Sequence, residues 1–506
     1  MALCYYEGYI RNRRQLCRDL GLPDGTTEQA ILETGYRRWG AGLVHRLYGA
    51  FAFAFRDQAD GSLFCARDQL GLQPFFYCLA GNGELLFSGD VNDIIGDPRY
   101  RPALDLQALQ NYMSFGYPIG ENTLWHGVRK LMPGQTLAFR AGKPVISTYY
   151  KPVYAPEHDR AEAYWTAQIE ATLRAILSED RENHDFRSAC AFLSSGVDSS
   201  WLLALSGVRR AIGIGYPGEA CSEAALAADT ARALDANFCR VDISPEAFFD
   251  AIPVAVRRLG LPIADASTVA LGIGCEVAAR GSAVCLSGEG ADEFFAGYHI
   301  YRRAEELAHD DGPWHYGCAG VMEAEHAASL LKLERPFSCA HLVEPLYADS
   351  EGDEHLSRLL RIDCALWLEG DILFGINRST RSCGLRLLLP YADRRLFELS
   401  ARIPAALKWK DGVGKYILRR AAEGQLPHEV AFRSKIGFSV PLGSWMRREP
   451  FRARVEAVLL GPQAARFFDM GQLRRYWSAF LEGNDVIRQI VYAAYVFLIW
   501  VREYDI

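Results

Sequence analysis

Ala189-Cys190-Ala191-Phe192-Leu193-Ser194-Ser195-Gly196-Val197-Asp198-Ser199-Ser200 decides how the rest of the chain is read. Five apolar residues lead into a run of small polar ones and then into Trp201-Leu202-Leu203-Ala204-Leu205, the start of an apolar helix. A strand, a small-residue loop and a helix N-terminus bring free N–H groups and the positive end of the helix dipole together, which suits an anion. A serine-capped helix start reads the same way from the loop alone. Asp198 separates the two readings, because a carboxylate inside an anion loop repels phosphate unless a divalent cation lies between them. No lysine stands where a Walker loop would supply one, so GxxxxGK[ST] machinery is excluded.

Working outward, the same alternation continues through AIGIGY at 211–216, FCRVDI at 238–243 and SAVCLS at 282–287, with helical segments between. Strands alternating with helices predict a parallel sheet with crossover helices. The last of these strands runs into a second acidic turn, Ser287-Gly288-Glu289-Gly290-Ala291-Asp292-Glu293. Parallel strands deliver their carboxyl ends to one edge, so Asp198 and Asp292 can converge there as a magnesium–nucleotide site; the competing reading is a solvated acidic loop. Positive charge is scarce nearby, but Lys415 lies in GKYILRRAA and Lys435 in RSKIGFSVPLGSW. The Gly-Phe and Pro neighbours of Lys435 predict a shaped loop of the kind that holds catalytic cations.

On the amino-terminal side, GAFAFAFRD, SLFCARD and QPFFYCLAGNGELLFSGD read as strands joined by Gly, Asn and Asp turns, a β-rich module over 1–150. KPVYAPEHDR at 151–160 reads as a linker, and 161–506 as the second domain, mainly helical from Trp367 onward. The 506 residues can bury a large core without staples. Charge is mildly acidic, with 55 Lys+Arg against 62 Asp+Glu and a net of −7, which argues against nucleic acid and anionic membranes as partners. Thirteen scattered cysteines with no CxxC pair, and a start that lacks the apolar core of a secretory signal, predict a reduced, cytoplasmic protein. The longest apolar run, Val491 to Val501, is too short for a membrane span and reads as a buried helix.

LSSGVDSS, LSGEGADEFFAGY, KYILRRAA and RSKIGFSVPLGSW together resemble the motifs of the glutamine-dependent asparagine synthetase family, and the resemblance covers nearly the whole chain. It implies an α/β plus α+β architecture: an N-terminal-nucleophile glutaminase-like β-sandwich, here degenerate and N-terminally truncated, followed by an ATP-pyrophosphatase domain with a parallel sheet and a helical C-terminal part. It also implies ATP and Mg²⁺. Leu193, Ser194, Ser195, Gly196, Asp198, Ser199, Ser200, Ser287 and Gly288 would bind ATP, with Asp198 and Asp292 on the metal. Lys415 would hold pyrophosphate, Lys435 would stabilise the pentavalent phosphorus, and Glu289 would accept a proton from the attacking amine. Ser195 departs from the family's usual glycine, although its N–H remains.

The amino-terminal resemblance starts late. Ala2 follows the initiator Met where a glutaminase needs a cysteine whose own α-amine serves as base, Cys4 is internal, and no strand is expected ahead of YEGYIRNRRQL. The family's NGEIYN becomes Glu7-Gly8-Tyr9-Ile10-Arg11-Asn12 and its Asp-Thr-Glu becomes Thr26-Thr27-Glu28, which predicts a dead glutamine pocket. In the stretch that commonly reads DRxxMAxSxExRVPFxD, Arg386 replaces the glutamate and Leu388 the arginine. A compensated structural swap and a remodelled acceptor pocket both fit that change; the second would place Arg386, with Tyr298 and Arg378, against an anionic or peptide carboxylate. Relatives without glutaminase activity include β-lactam synthetases and lasso-peptide cyclases. The leading reading is a lasso-peptide cyclase that adenylates a peptide Asp or Glu and closes a macrolactam on the peptide's own N-terminus, with a leader-peptide-binding protein and a leader protease as partners. The alternatives are a small-acid amidotransferase of secondary metabolism using free ammonia, and a silent scaffold.

Overall fold

The computed structural model describes residues 1–304, 315–318, 320–434 and 437–506. The amino-terminal strands are β1 (Ala2–Ile10), β2 (Gly49–Arg56), β3 (Leu63–Arg67), β4 (Phe76–Leu79), β5 (Leu85–Ser88), β6 (Arg129–Lys130), β7 (Gln135–Arg140) and β8 (Lys143–Thr148). They form a five-stranded antiparallel sheet in the order β1-β2-β3-β7-β8 and a three-stranded sheet β5-β4-β6. The alternation in β2 explains the layering, since successive side chains point to opposite faces. Phe51, Phe53 and Phe55 pack with Ile10, Leu16, Ile31 and Leu32, under the helices Arg13–Leu20 and Glu28–Trp39. Ala52 and Ala54 face the other way, and their small side chains seat Phe75, Tyr77, Leu85 and Leu131.

One element departs from the sequence reading. Where no early strand is expected, Ala2–Ile10 forms β1 and pairs with β2 from Ala2 opposite Arg56 to Ile10 opposite Gly49. Glu7 and Gly8 interrupt its apolar pattern. Gly8 is required by close approach: it has φ 110°, and a Cβ there would lie 1.9 Å from the Ala50 carbonyl oxygen.

Residues 149–161 carry neither helix nor strand but are held in place, with Ala155 N–H and Glu157 N–H donating to Ala401 O and Arg402 O. Beyond them lie β9 (Ala189–Phe192), β10 (Arg210–Gly215), β11 (Asn237–Asp242), β12 (Val284–Leu286) and β13 (Arg386–Leu388), a parallel sheet in the order β11-β10-β9-β12-β13. The chain leaves β9 for β10 and β11 on one side and returns to β12 on the other. That reversal opens a crevice at the carboxyl ends of β9 and β12, the usual ligand position of such sheets. Helices cover both faces, and Val491–Val501 lies buried inside the helix Arg488–Glu503. Among the described residues no helix is long and apolar enough to cross a membrane.

Buried ion pairs lock the two parts together. Arg11, just after β1, donates to Asp180 at 2.7 Å and to Asp393, with all three side chains nearly inaccessible. Glu369 accepts from both Arg67, at 2.8 Å, and Lys130, at 2.7 Å.

Candidate active site

At the carboxyl end of β9 the chain turns through residues 193–196 into the helix Val197–Ser206. The serines shape this turn themselves: Ser194 N–H donates to Ser199 Oγ at 3.1 Å, and Gly196 N–H donates to Ser194 Oγ at 3.2 Å. Ser200 Oγ closes back on Gly196 O at 2.7 Å, and Leu193 N–H is tied to Ile212 O in the neighbouring strand. Local side-chain bonds of this kind fix the turn and leave the first N–H groups of the helix facing the crevice. The N–H and hydroxyl of Ser195 both donate to Glu223, which lies in the turn after β10. Arg433 braces the loop from behind, donating to Ser195 O at 3.1 Å.

Asp198, in the first turn of that helix, faces the second acidic turn. Between them stands Lys415, whose Nζ lies 2.5 Å from Asp198 Oδ2 and 2.8 Å from Asp292 Oδ1. Burial pulls the Lys415 pKa down, but the two carboxylates outweigh burial and raise it, so the lysine is held charged. Lys415 takes a left-handed backbone conformation, φ 56°, as it caps the helix Tyr416–Ala422. A non-glycine residue there is strained, and such strain persists where its surroundings fix it. Gly297 permits the approach of the two loops, because a Cβ there would sit 2.0 Å from Asp292 Oδ1 and 2.2 Å from Lys415 Cε. Asp198 Oδ1 is buried and has no hydrogen-bond partner among the described residues. An acceptor left this way costs stability unless a ligand completes it. Two aspartates held together by a cation, one with an unused oxygen, fit a divalent ion whose remaining ligands come from phosphate.

A cleft of about 410 Å³ opens over this cluster. Ser194 to Ser199, Ser287, Gly288, Glu289, Asp292, Tyr298 and Lys415 line it together, and Phe192, Ile212, Ile214 and Leu271 give it an apolar wall. Ser287 Oγ donates to Glu289 Oε1 at 3.3 Å. Tyr298 OH donates to Glu293 at 2.6 Å, and burial, followed by the charge of Asp292, pushes the Glu293 carboxyl up to about 8. Lys435 lies outside the described residues; Arg433 before it and Gly437, Phe438 and Ser439 after it line the cleft.

Two of the expected pocket residues are elsewhere. Arg386 is the first residue of β13, so it lies at the amino edge of the parallel sheet, opposite the cleft. Its guanidinium donates to Gly8 O of β1, in a second cavity between the two parts of the chain. Arg378 is buried, and its Nε and Nη2 donate to Arg258 O and Asp90, a structural brace. Glu223, Arg433, Asp265 and Trp367 line the cleft but carry no sequence expectation. Arg433 sits two residues before Lys435 and could have been taken with that motif; Glu223, Asp265 and Trp367 stand in no local pattern.

The residues that stand where the family's glutamine motifs lie make contacts of their own. The ring of Tyr9 is buried edge-on to His184, and its hydroxyl accepts from Arg11. Glu7 is ion-paired with Arg381, and Glu28 accepts from Tyr6 OH and Ile10 N–H.

Comparison with known proteins agrees with this arrangement. Residues 178–502 match the asparagine synthase family model, and residues 4–150 match the glutamine amidotransferase domain model. A putative asparagine synthetase (glutamine-hydrolysing) of Mycobacterium tuberculosis is 31% identical over 98% of this chain and 83% of its own length. Asparagine synthetase 1 (glutamine-hydrolysing) of Bacillus subtilis is 28% identical over 88% of this chain and 76% of its own. An amidase of Penicillium rubens is 26% identical over 57% and 46%. The chain therefore belongs to the asparagine synthase family, with a glutamine amidotransferase-like domain ahead of a parallel-sheet synthase domain, and is an ATP-dependent carbon–nitrogen ligase.

Proposed function

We propose that the protein converts a carboxylate to an acyl-adenylate and passes the acyl group to an amine, with no glutamine hydrolysis. The observation that carries this is the Asp198–Lys415–Asp292 cluster set against the amino-terminal turn of the helix Val197–Ser206 in one cleft. In the first step a carboxylate oxygen of the substrate bonds to the α-phosphorus of ATP and pyrophosphate leaves. The amino-terminal turn of the helix Val197–Ser206 and the Lys415 ammonium stabilise the departing charge. In the second step the amine nitrogen bonds to the acyl carbon and AMP leaves. Glu289, on the cleft wall, accepts the proton the amine sheds. Asp198 and Asp292 would hold Mg²⁺, which supplies charge neutralisation at the phosphates when bound.

The absence of glutaminase chemistry is supported by the packing at the pocket that would do it, where Tyr9 is core and Glu7 and Glu28 are taken up by neighbouring groups. The amine is then ammonia or belongs to the acyl substrate itself. We favour the second, as macrolactam closure of a leader-cleaved peptide of the lasso type, with a leader-binding protein and a leader protease as partners. All thirteen cysteines are free thiols, which supports work in a reducing compartment such as the cytoplasm. The test is incubation with ATP, Mg²⁺ and the leader-cleaved peptide encoded beside the gene: AMP release with loss of one water from the peptide supports cyclisation. AMP release only with ammonium and a small acid selects the ammonia-dependent amidotransferase. Lack of AMP in every arm overturns the adenylation reading.

A further inference from the structure

One wall of the cleft is made of aromatic and branched side chains whose polar tips are used up inside the protein. Tyr298, Trp367, Ile372 and Ile376 line the cleft together. Trp367 and Ile372 stand on the π-helical stretch Cys364–Leu373, and Ile376 follows on the helix Phe374–Ser382. Tyr298 OH donates to Glu293 at 2.6 Å, and Trp367 Nε1 donates to the Tyr298 oxygen at 3.4 Å. The two polar tips therefore meet each other and a carboxylate that is only 1% exposed. Tyr117 backs the indole edge-on, with ring centroids 5.7 Å apart. The rings of Tyr298 and Trp367 remain half-buried, so what they offer a ligand is carbon. Phe438 adds a third ring to the lining of the cleft and is 41% exposed.

The cations among the described residues of the cleft are each taken up by groups of the protein. Lys415 is shared by Asp198 and Asp292. Arg419 donates to Gly414 O, Ala431 O and Arg433 O, and Arg433 donates to Ser195 O and Thr230 Oγ1. Against these three stand the carboxylates of Asp198, Glu223, Asp265, Glu289 and Asp292. The reacting carboxylate of the acid loses its charge when it is adenylated. A second carboxylate on the same molecule would keep its charge in a cleft with an anionic excess, and it would lose water there with no cation to replace it. An apolar substituent is instead favoured by burial against the rings.

We infer that the acid this ligase activates carries its one free carboxylate on an apolar body seated against Tyr298, Trp367, Ile372 and Ile376, and that free aspartate, with a second carboxylate, is rejected. This rests on the proposed ligase reading and names the class of its acyl substrate. An Asp or Glu within a peptide meets the same condition, because its α groups are neutral amides. Two measurements on the full chain separate the inference from that reading. In the first, 3-phenylpropionate, butyrate, succinate and L-aspartate are titrated with and without α,β-methylene-ATP and Mg²⁺, and tryptophan fluorescence is followed. The expected result is saturable binding of 3-phenylpropionate, about tenfold tighter than butyrate, with no saturation by succinate or aspartate. Ile372→Asn, which makes the wall polar beside the rings, should weaken 3-phenylpropionate by about tenfold with the circular dichroism unchanged. The second measurement is Mg²⁺-dependent exchange of labelled pyrophosphate into ATP with the same four acids, where 3-phenylpropionate should support exchange and aspartate should not. Selective binding of 3-phenylpropionate with no exchange from any acid counts against adenylation and leaves the apolar acid site standing. Exchange with aspartate or succinate as fast as with 3-phenylpropionate overturns the inference and leaves adenylation standing. Equal affinity for 3-phenylpropionate and butyrate, saturable binding of aspartate as tight as that of 3-phenylpropionate, or no saturable binding of 3-phenylpropionate in either condition also overturns the inference.

Discussion

Replacing Lys415 by Met removes the ammonium shared by Asp198 and Asp292 while keeping the length and apolar contacts of the stem. The lysine side chain is 3% exposed and its partners 16% and 20%, so the two carboxylates are left facing each other at the edge of a low-dielectric cleft. Breaking a buried pair by removing one partner costs about 3–5 kcal/mol. The partial exposure of the aspartates toward the cleft puts this case at the lower end, about 3 kcal/mol in magnesium-free buffer. The sign with pH follows from the raised lysine pKa: its contribution is fully present below 10.5, the value for an unfolded lysine, and is lost as pH rises through the higher folded value. The deficit of the variant should therefore be full at pH 7. Added Mg²⁺ can take the place between the carboxylates, so it should restore a large part of the lost stability in the variant and far less in the wild type. The assay is urea unfolding followed by tryptophan fluorescence, with and without Mg²⁺, beside AMP formation. AMP formation should fall by about a hundredfold or more, the scale for losing an oxyanion-stabilising group. A change in unfolding free energy below about 1 kcal/mol, or a Mg²⁺ effect equal in the two proteins, would refute the assignment of this triad as a cation-linked phosphate site.

Other consequences follow from the same geometry. Gly297→Ala places a methyl inside contact distance of both Asp292 and Lys415 and should abolish AMP formation while leaving the circular dichroism of the protein unchanged. Glu223→Gln removes a negative charge beside Ser195 N–H, and should tighten ATP binding by about fivefold, measured by titration without an acyl substrate. Arg11→Met leaves Asp180 buried without its cation and should destabilise the junction of the two domains by about 3 kcal/mol, read by urea unfolding. Burial, then the charges of Arg386 and Arg11, push the His184 pKa down to about 4. The unfolded chain thus takes up this proton first, so stability falls as pH drops from 6.5 toward 4, by about 2 kcal/mol after allowing for partial exposure. His184→Phe should remove that acid sensitivity.

The parts of the fold that were legible in the sequence are those whose signal is local. A parallel strand buried on both faces reads as an apolar run, and Ala189–Phe192, Val284–Leu286 and, after its leading arginine, Arg210–Gly215 announce themselves that way. The serine loop and the acidic turn are contiguous, and their convergence follows from strand polarity alone. β1 was not legible, because Glu7 and Gly8 break its alternation and its pairing with β2 lies about forty residues away in sequence. The helix Glu28–Trp39 was hidden for a similar reason: its apolar stripe is narrow and finds its partners in the phenylalanines of β2.

Arg386 shows how a motif can assign a residue to a pocket and still miss which end of the strand it occupies. Its position in the DRxxMAxSxExRVPFxD stretch fixes where it lies along the chain, and β13 pairs in parallel with β12 from Val284 opposite Arg386 onward. Only the residues after Leu388 can therefore reach the carboxyl edge, and they do so through Tyr391, whose hydroxyl donates to Asp198 O at 3.1 Å. Arg386, which stands where the family commonly has a glutamate, therefore lies at the junction with the amino-terminal domain, where it holds Gly8 O on the far side of the sheet from the cleft. The cleft is lined as well by residues with no local signature: Trp367 on the π-helical stretch Cys364–Leu373, and Asp265 a hundred residues upstream. Opening the helix to π geometry shifts side-chain directions relative to regular α spacing, which lets one short stretch present Trp367 and Ile372 to the cleft while Glu369 anchors Arg67 and Lys130. A heptad or 3.6-residue reading of 364–373 cannot anticipate that division of faces, so this part of the cleft wall emerges only when the elements are packed.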